Sequence, residues 1–235
     1  ICHSAMFTVW NWEPYRVAHV QYLNVLGNIT GLVLAGIFLA KAVALRYIFM
    51  LGFLIFAIYH LWFTFLFVPD VALTDIMIPY ILQGVAVGIL FVPLVLFTVS
   101  SVPAHYAPFS GTIGVTGRFW GSTVGFCIMQ NAQVLLQNTH FTKLRRFVVP
   151  ESPETQARME KIARGFIAKG YTVDEAHKLS VQQIVNTVSR QAVLLSDMEI
   201  FTVVGYALLF LVGFLLINRH LKQTFDIFKN RVWGS

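Results

Sequence analysis

Four runs of apolar residues constrain this chain more than any other feature. They cover residues 20–40, 47–68, 76–99 and 201–217. A bilayer core takes about 20 predominantly apolar residues in a helix. Inside it only helices and closed barrels satisfy every backbone N–H and C=O. Runs of this length, joined by connectors as short as 41–46 and 69–75, predict antiparallel helices packed as a bundle. Composition agrees: 57% of the 235 residues are hydrophobic and 12% charged, and the mean hydropathy is +0.68. Soluble domains carry about 25% charged residues.

A fifth segment, 110–136, is of spanning length but more polar. Residues 1–10 are too short to cross a bilayer and suit the end of a truncated span. The chain opens on Ile1 rather than Met, so a piece of a longer protein is expected. The sequence therefore predicts an all-α integral membrane protein: a bundle of about five transmembrane helices with a helical extramembrane insert before the last. The divisions are 1–19, the end of a span plus a loop; 20–137, four transmembrane helices; 138–196, the insert; 197–218, the last span; and 219–235, a basic amphipathic tail suited to the membrane face.

The insert holds nine of the seventeen Lys and Arg residues. Pro150 and Pro153 mark a break. Glu154 and Thr155 suit the start of a first polar helix, and Gly170 suits its end. Thr172 followed by Glu175 has the spacing of a capping box and starts a second. The net charge of +6 lies in loops and tail, which suits a membrane surface better than a nucleic acid. Charges near the span ends number six on the tail side and five on the insert side, too even to orient the chain. Cys2 and Cys127 lie far apart, with no Cys/His cluster to hold zinc. No nucleophile elbow, HExxH motif, phosphate loop or pair of carboxylates within a span points to catalysis, and no metal or cofactor site is indicated.

Several residues are unusual for a lipid-facing helix. Gly117, Gly121 and Gly125 recur every four residues and form a groove along one helix face, against which a second helix can pack closely. Gly84 with Gly88, and Gly27 with Gly31, repeat the device. Pro93 falls inside the third run and removes a backbone hydrogen bond there, which suits a kink, static or hinged. Arg118 lies deep in the fifth segment. A charge at that depth costs roughly 2.5 kcal/mol or more, so it must pair, face water, snorkel, or bond carbonyls at a helix crossing. Asn24, Asn28, Thr30, His60, Gln83, Gln130 and Asn131 are the other polar residues within the spans. Asp70, Asp75, Asp197 and Glu199 fall at or near span ends, so no acid lies within a span.

Two stretches carry a family resemblance: QGVAVGILFVPLVLFTVSSVP (83–103) and SGTIGVTGRFWGSTVGFCI (110–128). They resemble the late spans of the fourteen-span drug:proton antiporters of the major facilitator superfamily. The shared features are the step at Phe91–Pro93, the exit at Val102–Pro103, and Arg118 followed by Gly121, Ser122 and Gly125. A long loop leading to Glu199, Ile200 and Phe201 is also similar. The resemblance covers about residues 20–220. It implies that the spans are the tenth to fourteenth, that the tail is cytoplasmic and the insert extracytoplasmic, and that the molecule is a multi-pass protein of a bacterial inner membrane. It also implies the C-terminal part of a secondary transporter that exports drugs or other amphipathic compounds in exchange for protons. Asn24, Asn28, Tyr59, Gln83 and Phe91 would line the substrate cavity, and Arg118 would serve coupling or structure. The implied partners are the lipid bilayer, a small amphipathic substrate, protons, the N-terminal half of the same chain and a periplasmic adaptor; a nucleic acid is not among them. The rival readings are a membrane scaffold or binding subunit that does not transport, and a membrane enzyme using His60 or His105.

Overall fold

The computed structural model describes residues 6, 7, 9–100, 107–148 and 152–217. His105, the Val102–Pro103 exit, the break at Pro150 and the basic tail 219–235 lie outside them. The described residues form six helices and no strand: α1 (Pro14–Ala40), α2 (Leu45–Thr64), α3 (Leu73–Ser100), α4 (Ala107–Arg145), α5 (Pro153–Ile167) and α6 (Val173–Ile217). By length and composition α1, α2, α3 and α6 are each able to cross a membrane. Helix α4, which contains the fifth segment, has 39 residues, a length of about 58 Å at 1.5 Å per residue. Its glycines, hydroxyls, amides and Arg118 keep it less apolar than the other four.

Helix starts follow local chemistry. Pro14 occupies the first turn of α1, where its missing N–H costs nothing. Ser152 caps α5, its hydroxyl accepting from the Thr155 backbone N–H at 3.2 Å, so α5 starts with Pro153 in its first turn. At α6 the Thr172–Glu175 capping box forms in both directions. The Glu175 carboxylate accepts from the Thr172 backbone N–H at 3.0 Å and from its hydroxyl at 2.8 Å, and the Glu175 N–H donates back to Thr172 Oγ1 at 3.4 Å. The backbone bond and then the hydroxyl bond hold the Glu175 carboxyl below its ordinary value. Its contribution to the helix start is therefore present at neutral pH and lost as pH falls through that lowered value.

One boundary differs from the sequence reading. The second insert helix and the last span are a single helix of 45 residues. No Gly or Pro occurs between Val173 and Val204, so nothing in the backbone stops the helix where the composition turns from polar to apolar. Helix α4 likewise runs on past 136, into the insert, as far as Arg145.

The spans pack in sequence-specific pairs. Helix α1 lies against α3, α2 against both α3 and α6, and α4 against α6, while α5 rests on the polar half of α6. The α1–α3 crossing is an interlock of four glycines. A Cβ on Gly27 would meet the carbonyl oxygen of Ile81, and one on Gly31 that of Val85. In return a Cβ on Gly84 would meet the carbonyl oxygen of Asn24, and one on Gly88 that of Asn28. Backbone thus lies on backbone along two turns of each helix, the arrangement for which small residues are selected within membranes.

The largest core cluster sits at the insert end of the bundle. It joins Tyr59, Phe63 and Phe67 to Ile76 and Tyr80 of α3, Val17 and Val20 of α1, Leu194 and Phe201 of α6, and Trp10 and Trp12. The Trp10 indole N–H donates to Val68 O at 2.8 Å, which ties the segment before α1 to the α2–α3 connection. At the opposite end the Arg46 guanidinium donates to Leu216 O. The 41–46 connection and the end of α6 therefore share one face of the bundle, across from the insert. Outward-facing Leu, Ile, Val and Phe residues such as Leu26, Ile29, Val33 and Phe210 are exposed along the spans, as lipid contact requires.

Candidate functional site

All five long helices converge on one cavity of about 620 Å³. From α1 come Gln21 and Asn24, one turn apart. Helix α2 supplies Tyr59 and His60, and α3 supplies Tyr80 and Gln83. The fourth wall is α4, with Gly125, Phe126, Met129 and Gln130. Ile200, Phe201 and Val204 of α6 close the fifth. The cavity is therefore built by the whole bundle and not by one helix pair, and it opens outward beside α4, where Phe126 is 63% exposed. Its walls combine amides with aromatic and aliphatic surface, the composition of small-molecule pockets.

The polar wall is ordered by its own hydrogen bonds. Asn24 Nδ2 donates to Tyr80 O at 3.1 Å and to Gln83 Oε1 at 3.2 Å, which fixes the Gln83 amide against α1. The His60 Nδ1–H donates to Phe56 O at 2.8 Å; with that nitrogen engaged, Nε2 is the ring position left for a ligand. The aromatic wall centres on Phe201, whose ring lies 5.0 Å from His60, 4.9 Å from Phe67, 5.4 Å from Phe63 and 6.0 Å from Tyr59, centroid to centroid.

Of the residues expected to line a cavity, Asn24, Tyr59 and Gln83 do so. Asn28 and Phe91 do not. Asn28 lies at the glycine interlock, where its carbonyl faces Gly88. Phe91 is 45% exposed and lies under Arg118, whose guanidinium carbon is 4.9 Å from the ring centroid. Arg118 is itself exposed, and its guanidinium makes a cation–π contact between α4 and α3. Pro93 is fully buried and α3 runs through it, as it does through Pro79.

Gly84 and Gly88 are in the interlock described above. Among the described residues nothing lies within 4 Å of a Cβ built on Gly117, Gly121 or Gly125. Helix α4 meets its neighbours elsewhere along its length, with Gly114 against Thr98 of α3 and Gln133 against Asp197 of α6. Gly125 borders the cavity, while Gly117 and Gly121 face open space. Gln21, Tyr80, Phe126, Met129 and Phe201 are wall residues that the sequence alone did not single out as such. The three- and four-residue steps from Gly125 through Met129, and from Ile200 through Val204, place them on one face only once the partner helices are known.

The fold and this cavity define a multi-pass helical membrane protein. Two curated relatives narrow the class. The chain is 25% identical over 174 residues to the multidrug export protein EmrB of Escherichia coli strain K12, covering 74% of this chain and 32% of that protein. It is 26% identical over 113 residues to the multidrug export protein EmrB of Haemophilus influenzae, covering 48% of this chain and 22% of that protein. The chain thus spans about a third or less of the length of these relatives. No family model matches, and no solved structure matches. Both relatives carry the name of a multidrug export protein, in line with the resemblance read from residues 83–103 and 110–128.

Proposed function

We propose that this chain is the C-terminal part of a secondary exporter of amphipathic compounds. It works by alternating access, in exchange for protons, in the inner membrane of a bacterium. The observation that carries the reading is the central cavity. Five helices converge on about 620 Å³ of amide- and aromatic-lined space, inside the range of pockets that bury drug-sized ligands. The Phe201 cluster would take the apolar body of a substrate. Gln21, Gln83 and Gln130 would hydrogen-bond its polar groups. Aromatic faces also attract cations, so lipophilic cations are the substrate class the cavity suits best.

The smooth face of α4 supports the same reading. Gly117 and Gly121 offer a groove with no occupant among the described residues, and Phe119 and Trp120 beside them are exposed. In transporters built of two bundles, one bundle rocks against the other around a central site. This face is where the N-terminal half would pack. Arg118 would then sit at that seam, held over Phe91.

The test is accumulation of a fluorescent lipophilic cation in cells expressing the full-length protein, with and without a protonophore, at matched membrane levels. Efflux abolished by the protonophore is the expected result. Arg118→Ala is expected to lower that efflux about two- to fivefold, since an exposed cation–π contact is worth about 0.5–1 kcal/mol, and Arg118→Lys to restore most of it. Well-expressed wild type that exports no such cation would refute the reading.

A further inference from the structure

A second, polar cavity of about 440 Å³ lies on the insert side of the first. Its α4 wall is Gln130, Gln133, Val134 and Gln137, and its α6 wall includes Asn186, Arg190 and Val193. Gln130 lines both cavities. The two cavities therefore follow one another along a single crevice between α4 and α6. On α4 the order is Gln137, Gln133, Gln130, Phe126. On α6 it is Arg190, Val193, then Ile200 and Val204. Asp197 lines neither cavity; it lies on α6 between Val193 and Ile200, behind Gln133 of the polar cavity's wall.

Asp197 is wholly buried. Its Oδ1 accepts from Gln133 Nε2 at 2.8 Å. Its Oδ2 is buried with no hydrogen-bond partner among the described residues. Buried carboxylate oxygens are ordinarily satisfied, and one that is not calls for an explanation. A buried, unpartnered carboxyl oxygen one hydrogen bond behind Gln133, a wall residue of the polar cavity, is a place to hold a proton.

We propose that Asp197 is a proton-exchange site of the transport cycle, positioned by Gln133, with the polar cavity as its path to water on the insert side. The inference rests on the exporter reading above. Asp197 takes one proton, passed from water of the polar cavity when Gln133 moves aside, onto its unpartnered oxygen and becomes a neutral acid. It returns that proton to water when the crevice opens on the other side, so charge and atoms balance without a further reactant. The titratable and charged groups lining the two cavities are His60 and Tyr59 on α2, Tyr80 on α3 and Arg190 on α6; His140 on α4 and Glu199 on α6 lie outside both linings. Glu199 is engaged by His140 at 2.9 Å, whereas Asp197 keeps one oxygen unpartnered among the described residues.

The experiment uses the full-length protein in liposomes and a lipophilic cation. Two rates are read: accumulation driven by a pH gradient, and exchange of labelled for unlabelled cation at equal pH. Asp197→Asn is expected to lose gradient-driven accumulation tenfold or more while keeping exchange, and Asp197→Glu to recover part of the accumulation. Gradient-driven accumulation retained by Asp197→Asn overturns the proposal and leaves the exporter reading standing. Loss of both rates in folded Asp197→Asn also overturns it, because the carboxylate is then structural. Wild type lacking both rates overturns the exporter reading, and this proposal with it. Gln133→Leu keeps the carboxylate and serves if Asp197→Asn does not fold. Loss of a hydrogen bond to a charged group should move the pH of half-maximal accumulation upward by about one unit. An unmoved profile contradicts the proposal.

Discussion

Gly88→Leu leaves little or no folded protein in the membrane. The Cβ of any residue at this position meets the Asn28 carbonyl oxygen, with the Leu32 nitrogen at 2.8 Å and the Gly31 carbonyl carbon at 2.9 Å. Backbone atoms within a helix cannot turn aside as a side chain can, so α1 and α3 must separate. Overpacking in a core costs about 1–3 kcal/mol when side chains can adjust. Here the whole crossing moves, and the Asn24 bonds to Tyr80 and Gln83 go with it. Gly88→Ala is expected to be milder but still destabilising. Gly36→Leu is the control: it lies on the same helix pair, but nothing is within 4 Å of its Cβ, so protein levels should be unchanged. Membrane abundance and thermal unfolding in detergent check all three. A folded Gly88→Leu protein with wild-type stability would refute the interlock.

Phe201→Ala comes next in expected effect. The side chain is 7% exposed and touches four aromatic rings of α2 and its end. Truncating a buried Phe costs about 3–5 kcal/mol, part of it from the cavity left behind. It would enlarge the central cavity directly and loosen α6 from α2. The expected outcome is a lowered unfolding temperature with a broadened substrate range in whatever protein remains. Phe201→Leu should retain about half of the lost stability. Equal unfolding temperatures for Phe201→Ala and wild type would show that the aromatic wall carries no packing load.

Much of this fold is legible in the sequence, for identifiable reasons. The spans declare themselves because lipid leaves no alternative to long apolar helices. Thr172 and Glu175 declare a helix start because their spacing permits only a local reciprocal bond. Gly27, Gly31, Gly84 and Gly88 announce a close approach, though not that they face one another. Other features depend on tertiary neighbours. Gly117 and Gly121 carry the same spacing as the interlocked glycines yet meet nothing among the described residues, since a groove does not specify its occupant. Asp197 reads in sequence as an acid at the rim of a span. Only the crossing of α4 and α6 shows it sealed and bonded to Gln133. The amide row at Gln130, Gln133 and Gln137, on steps of three and four, was the available hint that this face of α4 is not lipid-facing. Asn28 and Phe91 share periodicity with cavity residues, but Asn28 on α1 lies at the crossing with α3 and Phe91 on α3 lies under Arg118.

The central claim is that the cavity bounded by all five long helices is where substrate binds. Its most direct test is export of a lipophilic cation by full-length protein carrying Gly125→Trp. Gly125 borders the cavity, and a Cβ there meets nothing within 4 Å, so the indole can enter the space without disturbing the backbone. Gly36→Trp, also unobstructed at its Cβ but outside the cavity, controls for the added bulk. The account predicts that Gly125→Trp reaches the membrane at wild-type levels and loses export at least tenfold, while Gly36→Trp exports normally. Full export by Gly125→Trp would contradict it.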